Sequence, residues 1–158
     1  MIKRLVVLGA IGAVVLVACG GQAAPAAAPV ERTLYMAAVE PKGSTTVAKE
    51  PFPSAALPEG GGYALDEPNA DGTWVVETYR FDPGTVVVNQ GDVVALEIIG
   101  INGKEHPFTI EGYNVSDVVK RGQITRVTFT ADKAGIFRIT CHAHLPAMTA
   151  DLVVLPKQ

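Results

Sequence analysis

Short runs of alternating apolar and polar residues fill the chain from residue 73 onward. They are rich in Val, Ile, Thr and aromatic residues, which favour extended backbone, and glycine-containing turns separate them at near-regular intervals. The runs are "TWVVETY", "TVVV", "DVVALEII", "HPFTI", "QITRVTFT", "GIFRITC" and "DLVVL". This pattern predicts an all-β fold, an antiparallel β-sandwich with Greek-key connections.

The N-terminus has the pattern of a secretion signal. Two basic residues precede an apolar run from Leu5 to Val17, which is too short to span a bilayer as a helix. The run ends in "LVAC", which resembles a bacterial lipobox, where cleavage before the cysteine leaves a lipidated N-terminus. We therefore predict a lipoprotein signal peptide over residues 1–18 and a lipidated Cys19. The alternative is an ordinary signal peptide with an incidental cysteine.

Residues 19–30 continue as an Ala/Pro-rich tether, which would hold the protein to the cell membrane on its extracytoplasmic side, in the periplasm or on the outer face. The next segment contains "RTLYMAAVE", which could form a first strand, but most of it is rich in Pro and Gly. We predict an irregular N-terminal extension over residues 31–71 and a β-domain over residues 72–158.

The formal net charge is −3 and there is no basic run, so nucleic acid is not an expected partner.

Strand alternation separates inward-pointing from outward-pointing side chains near two of the three histidines. Cys141 falls on the apolar face of "GIFRITC", whereas His142 falls on the polar face. His106 falls on the apolar face of "HPFTI". A disulfide between the two cysteines would be the ordinary expectation outside the cytoplasm. If Cys19 carries a lipid, however, Cys141 is a lone thiol, which metal ligation would protect.

Four potential metal ligands converge on the end of the predicted domain. Cys141 and His144 lie three residues apart where a strand gives way to a loop, and Met148 follows four residues later. A thiolate, the imidazoles of His106 and His144 and a weak thioether form a soft ligand set that suits one copper ion, with methionine as the long axial ligand. Taken singly, His106, Cys141 and Met148 are each also explained as core residues. Zinc is the competing metal, but methionine is a poor zinc ligand, and zinc would more naturally recruit His142 or a carboxylate.

With these residues in place, the chain resembles the cupredoxins over about residues 72–156. The resemblance runs from "FDPGTVVVNQGDVVALEI" through "HPFTIEGY" and "VTFTADKAGIFRITC" to "MTADLVVL". Mononuclear cupredoxins carry a C-x2-H-x(2–4)-M pattern, which Cys141, His144 and Met148 match as C-x2-H-x3-M. The resemblance implies that His106 is the upstream histidine ligand and that the fold is cupredoxin-like.

The scaffold is also similar to the dinuclear copper domains of cytochrome oxidase subunit II and nitrous-oxide reductase, which share "FTADKAGIFR"-like text. Those domains carry two cysteines in a C-x3-C-x3-H-x2-M pattern. Aligned on Met148, this chain has Phe137 in place of the first cysteine and Leu145 in place of the histidine. Because two thiolates are needed to bridge two coppers, the substitution implies a mononuclear site.

A second difference from the family concerns Pro107. In many cupredoxins the residue after the upstream histidine donates its backbone N–H to the cysteine sulfur, and proline has no N–H to donate. Loss of that bond leaves more electron density on the thiolate and favours Cu(II). We therefore expect a lower reduction potential than that of a similar site with the bond intact.

The expected function is single-electron transfer by a membrane-anchored copper protein, with redox proteins of a respiratory or other electron-transfer chain as partners. The alternative is copper storage or delivery to respiratory copper centres, which the outward-facing His142 would serve. We expect no enzyme activity and no small-molecule substrate, because four protein ligands leave no open position on the metal.

Overall fold

The computed structural model describes residues 28–57 and 59–157. Over these residues the chain forms strands joined by turns, and no helix there is long and apolar enough to cross a membrane. The strands are β1 (Glu31–Val39), β2 (Lys42–Thr46), β3 (Tyr63–Asp66), β4 (Thr73–Thr78), β5 (Arg80–Asp82), β6 (Thr85–Asn89), β7 (Val93–Gly100), β8 (Glu105–Ile110), β9 (Val115–Lys120), β10 (Ile124–Thr130), β11 (Gly135–Cys141) and β12 (Thr149–Leu155). The all-β prediction is confirmed.

Two sheets enclose a single hydrophobic core. One has the strand order β10-β7-β1-β5 and the other β6-β12-β11-β8-β9. Each contributes an alternating row of apolar side chains, such as Leu96 and Ile98 from β7 and Leu152 and Val154 from β12, all of them buried. A third, smaller sheet has the order β2-β4-β3.

The sandwich is not purely antiparallel. Among the described strands, β1 pairs with β7 in parallel and β12 pairs with β6 in parallel, while the other pairings are antiparallel. Both parallel pairs join strands far apart in sequence, so no turn signal marks them. The prediction of an antiparallel sandwich therefore needs this correction.

The extension predicted as irregular over residues 31–71 contains three strands, and the first of them, β1, coincides with the run "RTLYMAAVE" that could form a strand. β1 lies inside a main sheet, where Met36 and Ala38 are buried and Leu34 packs against the core. β2 and β3 flank β4 in the small sheet. The Pro/Gly-rich text belongs to the turns between these short strands, which explains why composition suggested irregular chain.

The beginning of β1 is fastened by a buried carboxylate. The Asp92 carboxylate accepts hydrogen bonds from the backbone N–H groups of Asn89 (2.9 Å) and Val30 (3.3 Å) and forms an ion pair with the Arg32 guanidinium. Burial alone would raise the pKa of Asp92, but these hydrogen bonds and the positive charge outweigh it and lower that pKa. The carboxylate thus stabilises the folded state as an anion.

Candidate metal centre

His106 lies on β8 and is fully buried, as strand alternation predicts. Its Nε2 lies 2.9 Å from the backbone carbonyl oxygen of Asn102. Since a carbonyl only accepts, Nε2 carries the hydrogen, and in the neutral ring Nδ1 keeps a free lone pair. Gly103 permits this placement, because a Cβ there would come within 2.7 Å of the ring and its φ is +76°. The backbone before β8 therefore selects the tautomer that a metal ligand needs.

Cys141 and His144 complete a compact group of donors. Cys141 is the last residue of β11 and is fully buried. Its Sγ lies 3.4 Å from Nδ1 of His144, which lies 3.2 Å from Nδ1 of His106. The three ligand atoms all fall within 4.8 Å of one another. Metal ions with such ligands sit about 2.0–2.3 Å from N and S donors, so this spacing fits donors that share one ion.

Met148 closes the loop that follows Cys141. Its carbonyl oxygen accepts from the Cys141 N–H (3.0 Å), and its N–H donates to the His144 carbonyl (2.9 Å). The Met148 side chain is fully buried and belongs to the hydrophobic core. Its role as the axial ligand stays a prediction, as does the complete four-residue ligand set.

The electrostatics of the site favour neutral donors until a metal binds. Burial raises the pKa of the Cys141 thiol, although the amide groups of Ala143 and His144 oppose the rise. Burial, followed by the neighbouring His106, lowers the pKa of His144. At neutral pH the His144 imidazole is therefore available as a ligand, and metal binding would displace the proton of the Cys141 thiol.

His142 lies outside this donor group. It is exposed, as strand alternation predicts, and its Nε2 lies 2.9 Å from Oγ1 of Thr109. Its backbone N–H donates to the carbonyl oxygen of Pro107 at 2.9 Å.

Phe137, which stands where a dinuclear site would have its first cysteine, packs edge-on against Tyr113. Cys19, the predicted lipidation site, lies outside the described residues.

Two residues that sequence reasoning did not select lie next to the donors. The ring of Tyr79 stacks on the His144 imidazole, with centroids 3.8 Å apart and an angle of 4° between the planes. Its hydroxyl donates to the buried carboxylate of Glu40, an interaction that, together with burial, raises the pKa of Tyr79 to about 12. The same hydrogen bond and the nearby Lys42 lower the pKa of Glu40, against the effect of burial.

Neither residue carries a local signal of this role. Tyr79 stands between two short strands, and Glu40 follows the end of β1. Only the tertiary fold brings them to His144.

A glycine segment from the N-terminal part of the chain packs on the ligand loop. The N–H of Gly61 donates to the Leu145 carbonyl, and the carbonyl of Gly62 accepts from the Tyr79 N–H at 2.6 Å. Gly62 has a φ of +80°, and a Cβ there would overlap the carbonyl oxygen of His144. The segment can therefore approach the loop this closely only with glycine at this position.

Comparisons with known proteins agree with the fold. A family model described as a cupredoxin-like domain matches residues 63–154, more than half of the chain. No curated protein sequence gives a significant match. The multicopper oxidase mgLAC (18% identity, TM-score 0.53) and a copper nitrite reductase from Nitrosomonas europaea (20% identity, TM-score 0.53) share the fold over 82% and 80% of this chain. This chain spans only 40% and 42% of the length of those structures.

A smaller match is auracyanin A, a blue copper protein from Chloroflexus aurantiacus. It has 19% identity and a TM-score of 0.42, over 48% of this chain and 88% of auracyanin. The matched family segment begins at Tyr63, nine residues before the predicted domain boundary, and β1 adds a strand still earlier in the chain.

Proposed function

The chain belongs to the cupredoxin-like domain family, and we propose that it carries single electrons on one copper ion bound by His106, Cys141, His144 and Met148. The observation that supports this proposal is the buried thiol and two imidazoles within 4.8 Å of one another on a cupredoxin fold. Softness of the donors favours copper over zinc. A bound copper would supply a one-electron Cu(II)/Cu(I) couple.

The chain's own residues supply rigidity and exclusion of water. Cys141, His106 and Met148 are fully buried, and Asn102 fixes the tautomer of His106. Ligands held in one geometry change little between oxidation states, so electron transfer costs little reorganisation. Electron transfer of this kind needs no open position on the metal for a substrate.

His144 is the half-buried member of the donor group, and we propose its ring as the route for electrons. Leu145 and Pro146 beside it are exposed and apolar, with Leu145 at 42% exposure. An apolar surface around the ring would let a redox protein dock without displacing strongly bound water. Redox proteins of a respiratory or other electron-transfer chain are the proposed partners.

The test of the copper site uses the full-length chain with Cu(II) added. We expect an intense visible thiolate-to-copper band and a reversible one-electron wave in voltammetry. Cys141→Ser should abolish the band, whereas His142→Ala should leave it intact, because His142 faces solvent. A wild-type protein that binds copper without such a band would contradict the proposal.

Membrane attachment through a lipid on Cys19 is a separate proposal, supported by the lipobox-like "LVAC". Metabolic labelling with a fatty acid, followed by fractionation of the cells, tests it. The label and the membrane association should both be lost in Cys19→Ala. Retention of the label in that variant would refute lipidation at this residue and leave the copper proposal untouched.

Copper storage or delivery is the second candidate, and the exposed imidazole of His142 beside Cys141 favours it. In that case the protein should prefer Cu(I) and pass it quickly to a chelator, and His142→Ala should slow the transfer. The two functions are therefore separated by which oxidation state is bound and by the rate of release. A stable, reversible couple with slow copper release supports electron transfer.

A further inference from the structure

Tyr79 lies against the one donor that is not fully buried. Its ring and the His144 imidazole are stacked nearly parallel, with 3.8 Å between their centroids and 4° between their planes. The His106 ring is farther away, at 6.0 Å and tilted by 57°. A parallel stack this close restricts rotation of the imidazole about its Cβ–Cγ bond, because turning would drive its edge into the tyrosine ring.

Tyr79 is itself held at both ends. Its backbone N–H donates to the Gly62 carbonyl, and its hydroxyl donates to the Glu40 carboxylate. Glu40 is 8% exposed and pairs with the Lys42 ammonium at 3.4 Å. The ring therefore cannot follow His144 if that side chain moves.

Glu40 also belongs to the support of the other histidine. Its N–H donates to Oδ1 of Asn102 at 2.7 Å, and Nδ2 of Asn102 donates back to the Glu40 carbonyl at 2.9 Å. The carbonyl of the same Asn102 accepts from Nε2 of His106. One pair of residues, at the ends of β1 and β7, thus connects the surroundings of both imidazoles.

We propose that Tyr79, anchored by Glu40, is a positioning residue that fixes the His144 ring and, when copper is bound, favours Cu(II) over Cu(I). This inference rests on the proposed function for its second part only. The electron-rich face of the tyrosine and the carboxylate behind it both stabilise positive charge on the imidazole. That charge is larger when the bound ion is Cu(II).

The experiment compares Tyr79→Leu, Tyr79→Phe and Glu40→Gln in the full-length chain. Tyr113→Leu is the matched control, because Tyr113 is another half-buried tyrosine in ring contact, packed on Phe129 and Phe137 instead of a histidine. The first readout is NMR of the metal-free protein. Loss of the ring in Tyr79→Leu should shift the His144 ring protons downfield, whereas Tyr113→Leu should leave them in place.

The second readout is the affinity for Cu(II) and for Cu(I), each measured by competition with a chelator. The ratio of the two affinities should fall by about two- to tenfold in Tyr79→Leu, as expected for the loss of one aromatic stack. Tenfold corresponds to about 59 mV in a one-electron couple, so the midpoint potential should rise by up to that amount. Tyr79→Phe and Glu40→Gln should give smaller changes in the same direction, because both keep the stack.

The outcomes separate the parts of the proposal. Unmoved His144 protons in Tyr79→Leu, or an affinity ratio equal to that of Tyr113→Leu, would overturn it. Wild-type values in both Tyr79→Phe and Glu40→Gln would overturn the anchoring role of Glu40. The proposed electron-transfer function is judged by voltammetry of the wild type, so its failure would leave the metal-free NMR result standing.

Discussion

Replacement of Gly62 by alanine tests whether the N-terminal part of the chain shapes the metal centre. Gly62 has a φ of +80°, where an L-residue other than glycine costs about 1–2 kcal/mol. The added methyl group would also overlap the His144 carbonyl oxygen and lie 3.0 Å from Cβ of Ala147. Both contacts belong to the ligand loop, which must shift to make room, and overpacking of this kind costs about 1–3 kcal/mol more. The expected loss is therefore about 2–5 kcal/mol of unfolding free energy.

Gly122 provides the matched control. It has a φ of +72°, but a Cβ there would meet nothing within 4 Å. Gly122→Ala should therefore lose only the backbone contribution, about 1–2 kcal/mol. The difference between the two variants isolates the contact with the ligand loop.

The assay is denaturant unfolding of both variants, followed by copper titration under native conditions. For a chain of this size, 1 kcal/mol corresponds to roughly 2–4 °C in Tm, so a thermal melt also resolves the difference. We expect Gly62→Ala to bind copper more weakly and with an altered visible band, and Gly122→Ala to keep the wild-type band. Equal losses of stability together with equal bands would refute the reasoning, because the segment would then not constrain His144.

Three further predictions concern other residues. Pro107→Asn should raise the midpoint potential by supplying an N–H toward Cys141, and an unchanged or lower potential would contradict this. Met148→Leu conserves volume, so it should cost less than about 1.5 kcal/mol, yet it should alter the visible spectrum; an unaltered spectrum would show that Met148 is not a ligand. Asp92→Asn should cost roughly 1–3 kcal/mol at pH 7. Because the pKa of Asp92 is lowered on folding, its contribution is present above the unfolded pKa near 3.8 and is lost as pH falls through the folded value. The difference in unfolding free energy between the wild type and the variant should therefore be full at pH 5 and much smaller at pH 2; a difference that stays constant between the two pH values would contradict the assignment.

The parts of the site that sequence could predict depend on local periodicity. Strand alternation alone placed Cys141 and His106 inside and His142 outside, and the observed burial agrees. Alternation works here because one face of each strand packs on the core, so a side chain's parity determines its environment. The spacing from Cys141 to His144 likewise reflects a short loop, whose geometry involves only neighbouring residues.

The parts that sequence could not predict depend on contacts between distant segments. The parallel pairing of β1 with β7 joins strands about sixty positions apart, and no turn residue signals it. The stack of Tyr79 on His144 spans a similar distance, and Glu40 reaches Asn102 only because β1 and β7 end together. The Pro/Gly-rich composition of residues 40–72 concealed two short strands, since turns outnumber strand residues there.

The parallel pairing of β1 with β7 also determines where the chain enters the domain relative to the metal centre. β1 begins beside Asp92 and is followed directly by Glu40, so the chain enters the domain at one pole, and the metal centre lies at the other. Eight residue steps of a strand span roughly 26 Å at about 3.3 Å each. If a lipid on Cys19 anchors the chain, as proposed, the tether joins the domain at the pole opposite the metal centre. The tether of residues 20–30 adds up to about 34 Å when extended, at about 3.1 Å per residue. The metal centre would then lie at most about 60 Å from the bilayer, a distance that sets how far away a proposed redox partner could be.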